Sequence, residues 1–175
     1  MDTSWYVLTG APRSGMDEIQ NGLGKLGYKV LREAARRYID QEIAKGRTIE
    51  EIRADEADFQ RKVMAIKVED EKNLPANQLT FLNRGKPDSI AYYEVTARID
   101  PEEARAQCER GTYKRVFYLE ALPYVRDYAR TETEPQRDAL QPLLVAAYED
   151  LGYEVVIVPS ALSASERIQF ILKHL

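Results

Sequence analysis

Residues 9–17 of the chain are Thr-Gly-Ala-Pro-Arg-Ser-Gly-Met-Asp, and they lie between a short apolar run and a helical pattern. The apolar run, residues 5–8, is typical of a buried strand, and apolar side chains recur at helical spacing over residues 19–26. Gly10 and Gly15 have the spacing of G-x-x-x-x-G-K-[ST], a pattern whose backbone N–H groups surround a phosphate. The stretch therefore predicts a strand, a phosphate-binding loop and a helix, in that order.

The last two positions of the pattern differ from it. Met16 stands where a lysine would neutralise the β- and γ-phosphates, and Asp17 stands where a hydroxyl would ligate magnesium. Methionine supplies neither charge nor a hydrogen-bond donor, and a carboxylate repels an incoming triphosphate. Two structural interpretations stay open beside this loss of function. In the first, Met16 simply begins a helix. In the second, the Asp17 carboxylate interacts with the positive end of the helix dipole and so takes the place that a phosphate would otherwise have there.

Composition limits the class of protein. A length of 175 residues, with 44% hydrophobic and 31% charged residues, predicts a single globular domain over residues 1–175. No apolar run is long enough for a membrane span, and no secretory signal is recognised, so we expect a cytoplasmic protein. One cysteine and one histidine argue against a disulfide framework and a Cys/His zinc cluster, and a net charge of −4 argues against a general nucleic-acid surface.

Strand and helix patterns alternate along the rest of the chain. Further strands are predicted up to Leu31 and at residues 79–82, 115–119 and 155–158. Helices are predicted at residues 33–45, about 54–72 and 134–151, and after the capping-box sequence that starts at Ser163. The strands are nearly continuous in hydrophobicity, which is typical of strands buried on both faces. This alternation predicts an α/β fold in three layers, with a parallel sheet covered by helices on both faces. Pro142 is expected to kink or break the helix of residues 134–151, or to lie in the first turn of a helix that starts later.

Three blocks carry a resemblance to a known family. They are Thr-Gly-x-Pro-x-Ser-Gly at residues 9–15, Glu-Ala-Ala-Arg at residues 33–36, and Asn-Arg-Gly-x-Pro-Asp-Ser-Ile-Ala-Tyr at residues 83–92. Their order and spacing resemble the small AAA-type P-loop ATPase family related to nucleotide and nicotinamide-riboside kinases, and further matching blocks extend to residue 172. The resemblance implies a P-loop NTPase fold with a five-stranded parallel sheet, ATP or GTP as ligand, magnesium as cofactor, and a phosphorylated or hydroxyl-bearing second substrate.

Asn83 is a third departure, because the family usually has an aspartate there that holds magnesium directly or through water. Asparagine keeps the shape and one acceptor oxygen but loses the charge, and hard divalent cations prefer anionic oxygen. Met16, Asp17 and Asn83 all affect the same metal–phosphate centre. We therefore expect a weak or absent magnesium site, and we assign no residue as a metal ligand.

Part of the site is retained. Gly10, Ser14 and Gly15 match the loop and are expected to bind the phosphates of a nucleotide through their backbone N–H groups. Arg13 is a candidate substitute cation, unless it is a solvated loop residue. The resemblance implies that Glu33 binds the second substrate.

Four arginines complete the candidate site. Arg36 is expected beside Glu33 as a substrate-binding residue, with an internal salt bridge as the alternative for both. Arg84 faces substrate or pairs with a carboxylate. Arg126 and Arg130 lie one turn apart in a lid-like segment near residues 124–135, where the resemblance implies that they reach the transferring phosphate; the alternative is an exposed charged segment.

Two functional classes follow. The leading hypothesis is a P-loop protein that binds a nucleotide or another phosphorylated small molecule weakly, hydrolyses it little or not at all, and acts as a sensor, a scaffold or a module for a protein partner. The alternative is an active ATP- or GTP-dependent ATPase or small-molecule kinase in which arginines replace the loop lysine. A third interpretation is an engineered or reconstructed sequence kept for its fold alone. Cys108, among acidic neighbours and without a nearby histidine, is not expected to be a nucleophile.

Overall fold

A computed structural model describes residues 3–122 and 132–175 of the chain. Five parallel strands form one sheet in the order β2-β3-β1-β4-β5. They are β1 (Trp5–Thr9), β2 (Lys29–Leu31), β3 (Thr80–Asn83), β4 (Arg115–Leu119) and β5 (Val155–Val158). The predicted five-stranded parallel sheet is confirmed.

Helices connect the strands. They are α1 (Met16–Lys25), α2 (Ala34–Ala44), α3 (Ile49–Ile52), α4 (Glu56–Asn73), α5 (Asp88–Tyr92), α6 (Glu102–Arg105), α7 (Glu134–Glu149) and α8 (Ala164–Lys173), with a π-helical turn at Tyr93–Ala97. The long helices match the predicted ones, and the predicted capping box at Ser163 and Glu166 is present. The short helices α3, α5 and α6 were not predicted, because four or five residues are too few to show a helical period.

The side-chain alternation of β1 divides the core into two layers. Tyr6 and Leu8 pack with Ile19 of α1 and Ile171 of α8 on one face of the sheet. On the opposite face Trp5 and Val7 belong to a cluster with Tyr148 of α7. Helices therefore cover both faces, as the sequence predicts, and the carboxyl ends of β1 and β3 lie side by side between the layers.

The edge strands differ from the prediction. All residues of β1 and β3 are buried, but β2 and β5 are partly exposed, and Ile157 of β5 is exposed. The prediction that every strand is buried on both faces is wrong at these edges, because an edge strand has a neighbouring strand on one side only. Within residues 3–122 and 132–175, no helix has the length and apolar character needed to cross a bilayer.

Pro142 lies in the interior of α7, and the helix continues through it. The prediction that the helix breaks or starts at Pro142 is wrong. Proline has no N–H for a bond to the carbonyl of Asp138, but both residues are exposed, so water can hydrogen-bond that carbonyl. The start of α7 is instead set by a capping box of Thr133 and Gln136.

Replacing Pro142 by alanine is expected to stabilise the protein by about 1–3 kcal/mol, because the missing hydrogen bond of α7 can then form. Chemical denaturation measures the change. Pro135→Ala is the matched control, since proline in the first turn of a helix removes no intrahelical hydrogen bond. Equal stability changes in the two variants would contradict this explanation.

Candidate functional site

The predicted phosphate-binding loop joins β1 to α1. Gly15 is the N-cap of α1 and has φ 75° and ψ 22°, a left-handed conformation that favours glycine. A Cβ atom at this position would lie 2.8 Å from Cδ1 of Leu122. Arg13 also has a left-handed backbone, with φ 75°, which an arginine adopts only at a cost. The loop is therefore a tight and locally strained turn.

Two hydrogen bonds orient the backbone of this loop. The N–H of Leu122 donates to the carbonyl of Arg13 at 2.8 Å, and Nη1 of Arg167 donates to the carbonyl of Ser14 at 2.6 Å. In a trans peptide unit the N–H points away from the carbonyl oxygen. The N–H groups of Ser14 and Gly15 therefore point away from Leu122 and Arg167. This arrangement fits an anion held by backbone donors.

Arg167 of α8 is the residue behind the loop, and its side chain is 2% exposed. Besides Ser14, its guanidinium donates to the carbonyls of Pro159 at 3.0 Å and Glu120 at 2.7 Å. Burial lowers the pKa of Arg167. Sequence reasoning missed this residue, although its place four positions before Ile171, on the core-facing stripe of α8, was a usable signal.

The three departing positions all have partners inside the protein. Met16 is 7% exposed and belongs to the apolar cluster beneath the sheet. Asp17 is exposed, and its carboxylate lies 3.8 Å from Nη2 of Arg36. Nδ2 of Asn83 donates to Oε1 of Gln20 at 2.9 Å. None of the three side chains contributes positive charge at the loop.

These side chains do not fit a magnesium site of the P-loop type. Asn83 is a neutral amide whose Nδ2 bonds Gln20 and whose Oδ1 has no hydrogen-bond partner among the described residues, and the Asp17 carboxylate lies 3.8 Å from Arg36. In the part of the chain that the structure describes, no three His, Cys, Asp or Glu residues cluster closely enough to hold a metal ion. The backbone donors of the loop suit a phosphate, whereas the side chains near it do not supply the anionic oxygens that magnesium prefers.

A small cleft lies beside the carboxyl ends of β2 and β3. Its wall contains three residues predicted from sequence, Glu33, Arg36 and Arg84. Arg53, Phe59, Val63 and Lys67 also line it. The fold thus brings together residues that are 51 positions apart in the chain, as the Glu33–Arg84 bond shows.

A buried ion network forms the base of this cleft. Nε of Arg84 donates to Oε1 of Glu33 at 2.9 Å, and Nη1 donates to Oδ1 of Asp88 at 3.0 Å. Burial acts to lower the pKa of Arg84, but Tyr92, Glu33 and Asp88 outweigh it and hold the pKa well above its ordinary value. Arg84 therefore both lines the cleft and pairs with carboxylates, so the two alternatives considered for it occur together.

Asp88 is the centre of that network and is fully buried. It accepts hydrogen bonds from the N–H of Gly85 at 3.0 Å and from the hydroxyls of Thr9 and Tyr148. Burial, and then the charge of Asp88, raises the pKa of Tyr148 well above its ordinary value, so the phenol stays protonated and donates. A Cβ atom at Gly85 would lie 2.9 Å from the Tyr148 hydroxyl, which explains why glycine follows Arg84.

The alternative considered for Glu33 and Arg36, an internal salt bridge, is observed for each of them with a different partner. Glu33 pairs with Arg84, and Arg36 lies against Asp17. Arg13 is half-buried at the loop, and Ser14 is buried. Their proposed roles in phosphate binding stay predictions.

Arg126 and Arg130 lie outside the described residues, as does most of the lid-like segment predicted near residues 124–135. The last two residues of that segment already belong to α7. The roles assigned to these two arginines therefore also stay predictions.

Sequence reasoning missed Lys67, Asp88 and Tyr148. Asp88 stands in the quoted block of residues 83–92, and its position four residues after Arg84 was a signal of an ion pair. Lys67 and Tyr148 stand in long helices, and no local pattern indicated that Lys67 lines the cleft or that Tyr148 bonds Asp88.

A family model described as an AAA domain matches residues 5–167. The chain belongs to this AAA domain family. A search of curated protein sequences finds no match. The family assignment agrees with the resemblance of the phosphate-binding loop and of residues 83–92.

Solved structures show the same fold. The structure of deoxyadenosine kinase from M. mycoides with bound dATP has a TM-score of 0.67 and 13% identity, over 97% of this chain and 98% of that chain. NadR protein in complex with NR has a TM-score of 0.65 and 16% identity, over 98% of this chain and 50% of that chain. This AAA domain therefore has a P-loop kinase-like fold, and it spans about half of NadR.

Asp88→Asn is expected to destabilise the protein by about 3 kcal/mol, because it leaves the buried Arg84 with one carboxylate in place of two. Urea denaturation measures the loss. Asp138→Asn, at an exposed ion pair with Arg137, is the control and should change stability by less than about 0.5 kcal/mol. Similar values for both variants would show that the buried network is not a major stabilising element.

Cys108 is expected to react slowly with alkylating reagents. Burial raises the pKa of its thiol to about 11, so the reactive thiolate is scarce at neutral pH and increases as the pH rises. At about pH 8 we expect alkylation roughly 100-fold slower than for a free cysteine, from the difference in thiolate fraction. Alkylation quenched at set times and followed by mass spectrometry gives the rate. A rate equal to that of free cysteine would contradict the raised pKa of the Cys108 thiol.

Proposed function

We propose that this AAA domain binds a nucleotide or another phosphorylated small molecule weakly at the loop of residues 10–15, with little or no hydrolysis. The proposal rests on the position of the Met16 side chain in the structure. Its side chain is packed in the apolar cluster at the position where the pattern has a phosphate-binding lysine.

The backbone of the loop supports the binding part of the proposal. With the carbonyls of Arg13 and Ser14 held by Leu122 and Arg167, backbone N–H groups remain available to a phosphate. Loss of one charge-assisted contact costs about 1.5–3 kcal/mol, which corresponds to about 10- to 100-fold weaker binding. We therefore expect weak phosphate binding at a loop that keeps its backbone donors.

The metal-site residues support the catalytic part. Phosphoryl transfer depends on cations that neutralise the developing charge on the transferred group. Asn83 is neutral and Asp17 is paired with Arg36, so neither is placed to recruit magnesium as the family pattern requires. We infer that turnover is slow or absent.

The solved kinases support a second binding region. Deoxyadenosine kinase was solved with dATP and with dCTP, and NadR with NR, in the fold that this chain shares. We infer that the cleft bordered by Glu33, Arg36 and Arg84 holds the second ligand. A sensor or scaffold would then respond to two ligands without converting them.

The decisive experiment restores the motif. The variant Met16→Lys, Asp17→Thr, Asn83→Asp should bind ATP or GTP at least about 10-fold more tightly than the natural chain, and in a magnesium-dependent way. Calorimetric titration with and without magnesium measures this. Asn21→Lys is the control, because it adds the same charge at an exposed position on the same helix.

Two results would overturn the proposal. The first is magnesium-dependent turnover of a few per second by the unaltered chain, which would favour the alternative of an active ATPase or kinase that uses arginines. In that case Arg126→Ala with Arg130→Ala should abolish the activity. The second is a restored variant that folds, as judged by denaturation, but gains no affinity.

A further inference from the structure

A groove of about 450 Å³ lies at the outer side of β2, and it shares no lining residue with the cleft that contains Glu33. One side of the groove belongs to α1, and the other belongs to β2 and the residue that follows it. The lining residues are Gln20, Asn21, Gly24, Lys25, Val30 and Arg32. The proposed function makes no use of this surface.

The floor of the groove is the open edge of the sheet, because β2 has only β3 beside it among the described strands. The N–H groups of Thr80 and Arg84 donate toward β1, so Phe81, between them in the alternation, turns its N–H and C=O toward β2. Phe81 is paired with Val30, and in a parallel ladder its hydrogen bonds go to the residues on either side of Val30. Val30 therefore turns its own N–H and C=O outward, where no group of the described chain bonds them.

The two glycines within α1 differ in what surrounds them. A Cβ atom at Gly22 would clash with Ile168 of α8, so the packing of α8 requires that glycine. A Cβ atom at Gly24 would have no other atom within 4 Å, and Gly24 lines the groove. Glycine inside a helix is less stable than alanine, and no contact in the described chain explains Gly24. A partner backbone that passes close to α1 along the groove would explain it.

Gln20 places an unused hydrogen-bond donor at the groove. Its side chain is 6% exposed, and its Oε1 accepts from Nδ2 of Asn83 at 2.9 Å. Its Nε2 has no hydrogen-bond partner in the described part of the chain. A buried donor without an acceptor costs free energy, and a carbonyl or carboxylate oxygen that enters at this end of the groove would remove that cost.

The rim of the groove is basic, although the chain has a net charge of −4. Lys25 and Arg32 line the groove, and Lys29 of β2 is exposed beside it. Lys25 has no carboxylate at salt-bridge distance among the described residues, and Arg32 has only a long, exposed pair with Asp40, at 3.7 Å. A second copy of this edge would bring the same three cations against them, which opposes pairing between copies. The charge of the groove is instead complementary to an acidic ligand.

We propose that the groove binds an extended, acidic peptide segment of a partner protein, which adds a strand beside β2. The main chain of the peptide exchanges hydrogen bonds with Val30 and passes close to Gly24. Its carboxylates face Lys25, Lys29 and Arg32. This interaction does not depend on nucleotide binding at the loop of residues 10–15.

Fluorescence anisotropy with labelled, end-blocked peptides tests the recognition. The probe is acetyl-Glu-Val-Glu-Val-Glu-Val-Glu-amide. One control peptide has lysine in place of each glutamate, and the other has proline in place of the central valine, which removes a main-chain donor. At low ionic strength the probe should bind the full chain at least about 10-fold more tightly than either control peptide, and added salt should weaken it.

Two variants test the position of the site. Gly24→Leu fills the groove without a clash in the chain and should weaken probe binding at least about 10-fold. Lys25→Glu should weaken it about 5- to 10-fold. Lys173→Glu is the matched control, because it makes the same charge change in the last turn of α8, and it should leave binding unchanged. Thermal denaturation checks that all three variants fold.

Five results would overturn the inference. The first two are equal affinity for the acidic and basic peptides and equal affinity for the probe and its proline version. The next two are unchanged probe binding by Gly24→Leu and no probe binding at millimolar concentration. The fifth is a dimer of the natural chain in sedimentation that Gly24→Leu abolishes, which would assign the edge to a second copy. Peptide binding is measured without nucleotide, so failure of the phosphate-binding loop does not affect these outcomes.

Discussion

The burial of the Arg84 charge is the constraint around which the carboxyl edge of the sheet is organised. A guanidinium that is removed from water needs anionic partners, and Arg84 takes them from two places, Glu33 after β2 and Asp88 in α5. Asp88 in turn draws in the hydroxyls of Thr9 and Tyr148. One ion network therefore joins β1, the end of β2, the end of β3, α5 and α7 at the base of the cleft.

A second buried arginine, Arg167, supports the backbone of the loop from the other side. Arg167 satisfies its donors with backbone carbonyls rather than carboxylates, and one of these carbonyls belongs to Ser14. It stands behind a loop that has Met16 where the pattern has a lysine, and the charge of Glu120 partly offsets the burial that lowers the pKa of Arg167. A hydrogen bond to a peptide carbonyl also polarises that peptide unit, which strengthens the N–H on its far side. This support favours the anion binding that we propose for the loop.

The fold was largely predictable, because its signals are local. Glycine spacing at Gly10 and Gly15, the helix end at Gly27 and the capping box at Ser163 each depend on a few neighbouring residues. The errors have equally clear causes. Pro142 stays inside α7 because the carbonyl it leaves without a partner is exposed to water, and β5 is partly exposed because it lies at an edge of the sheet.

The candidate site was predictable only in part. Glu33, Arg36 and Arg84 could be named from the blocks that contain them, but their pairing could not, since the partner of Glu33 is 51 residues away. Lys67 gave almost no signal, because charged residues in helices are usually exposed and this one is buried.

The sequence by itself determined the order of strands and helices, the glycine-spaced loop after β1 and the methionine at the lysine position of its pattern, because these depend on local chemistry and spacing. Only the tertiary structure decided that Met16 packs into the core, that Asp17 meets Arg36, and that Lys67 remains buried without a close carboxylate. The physical reason is that the cost of burying a charge depends on groups that distant parts of the chain place around it.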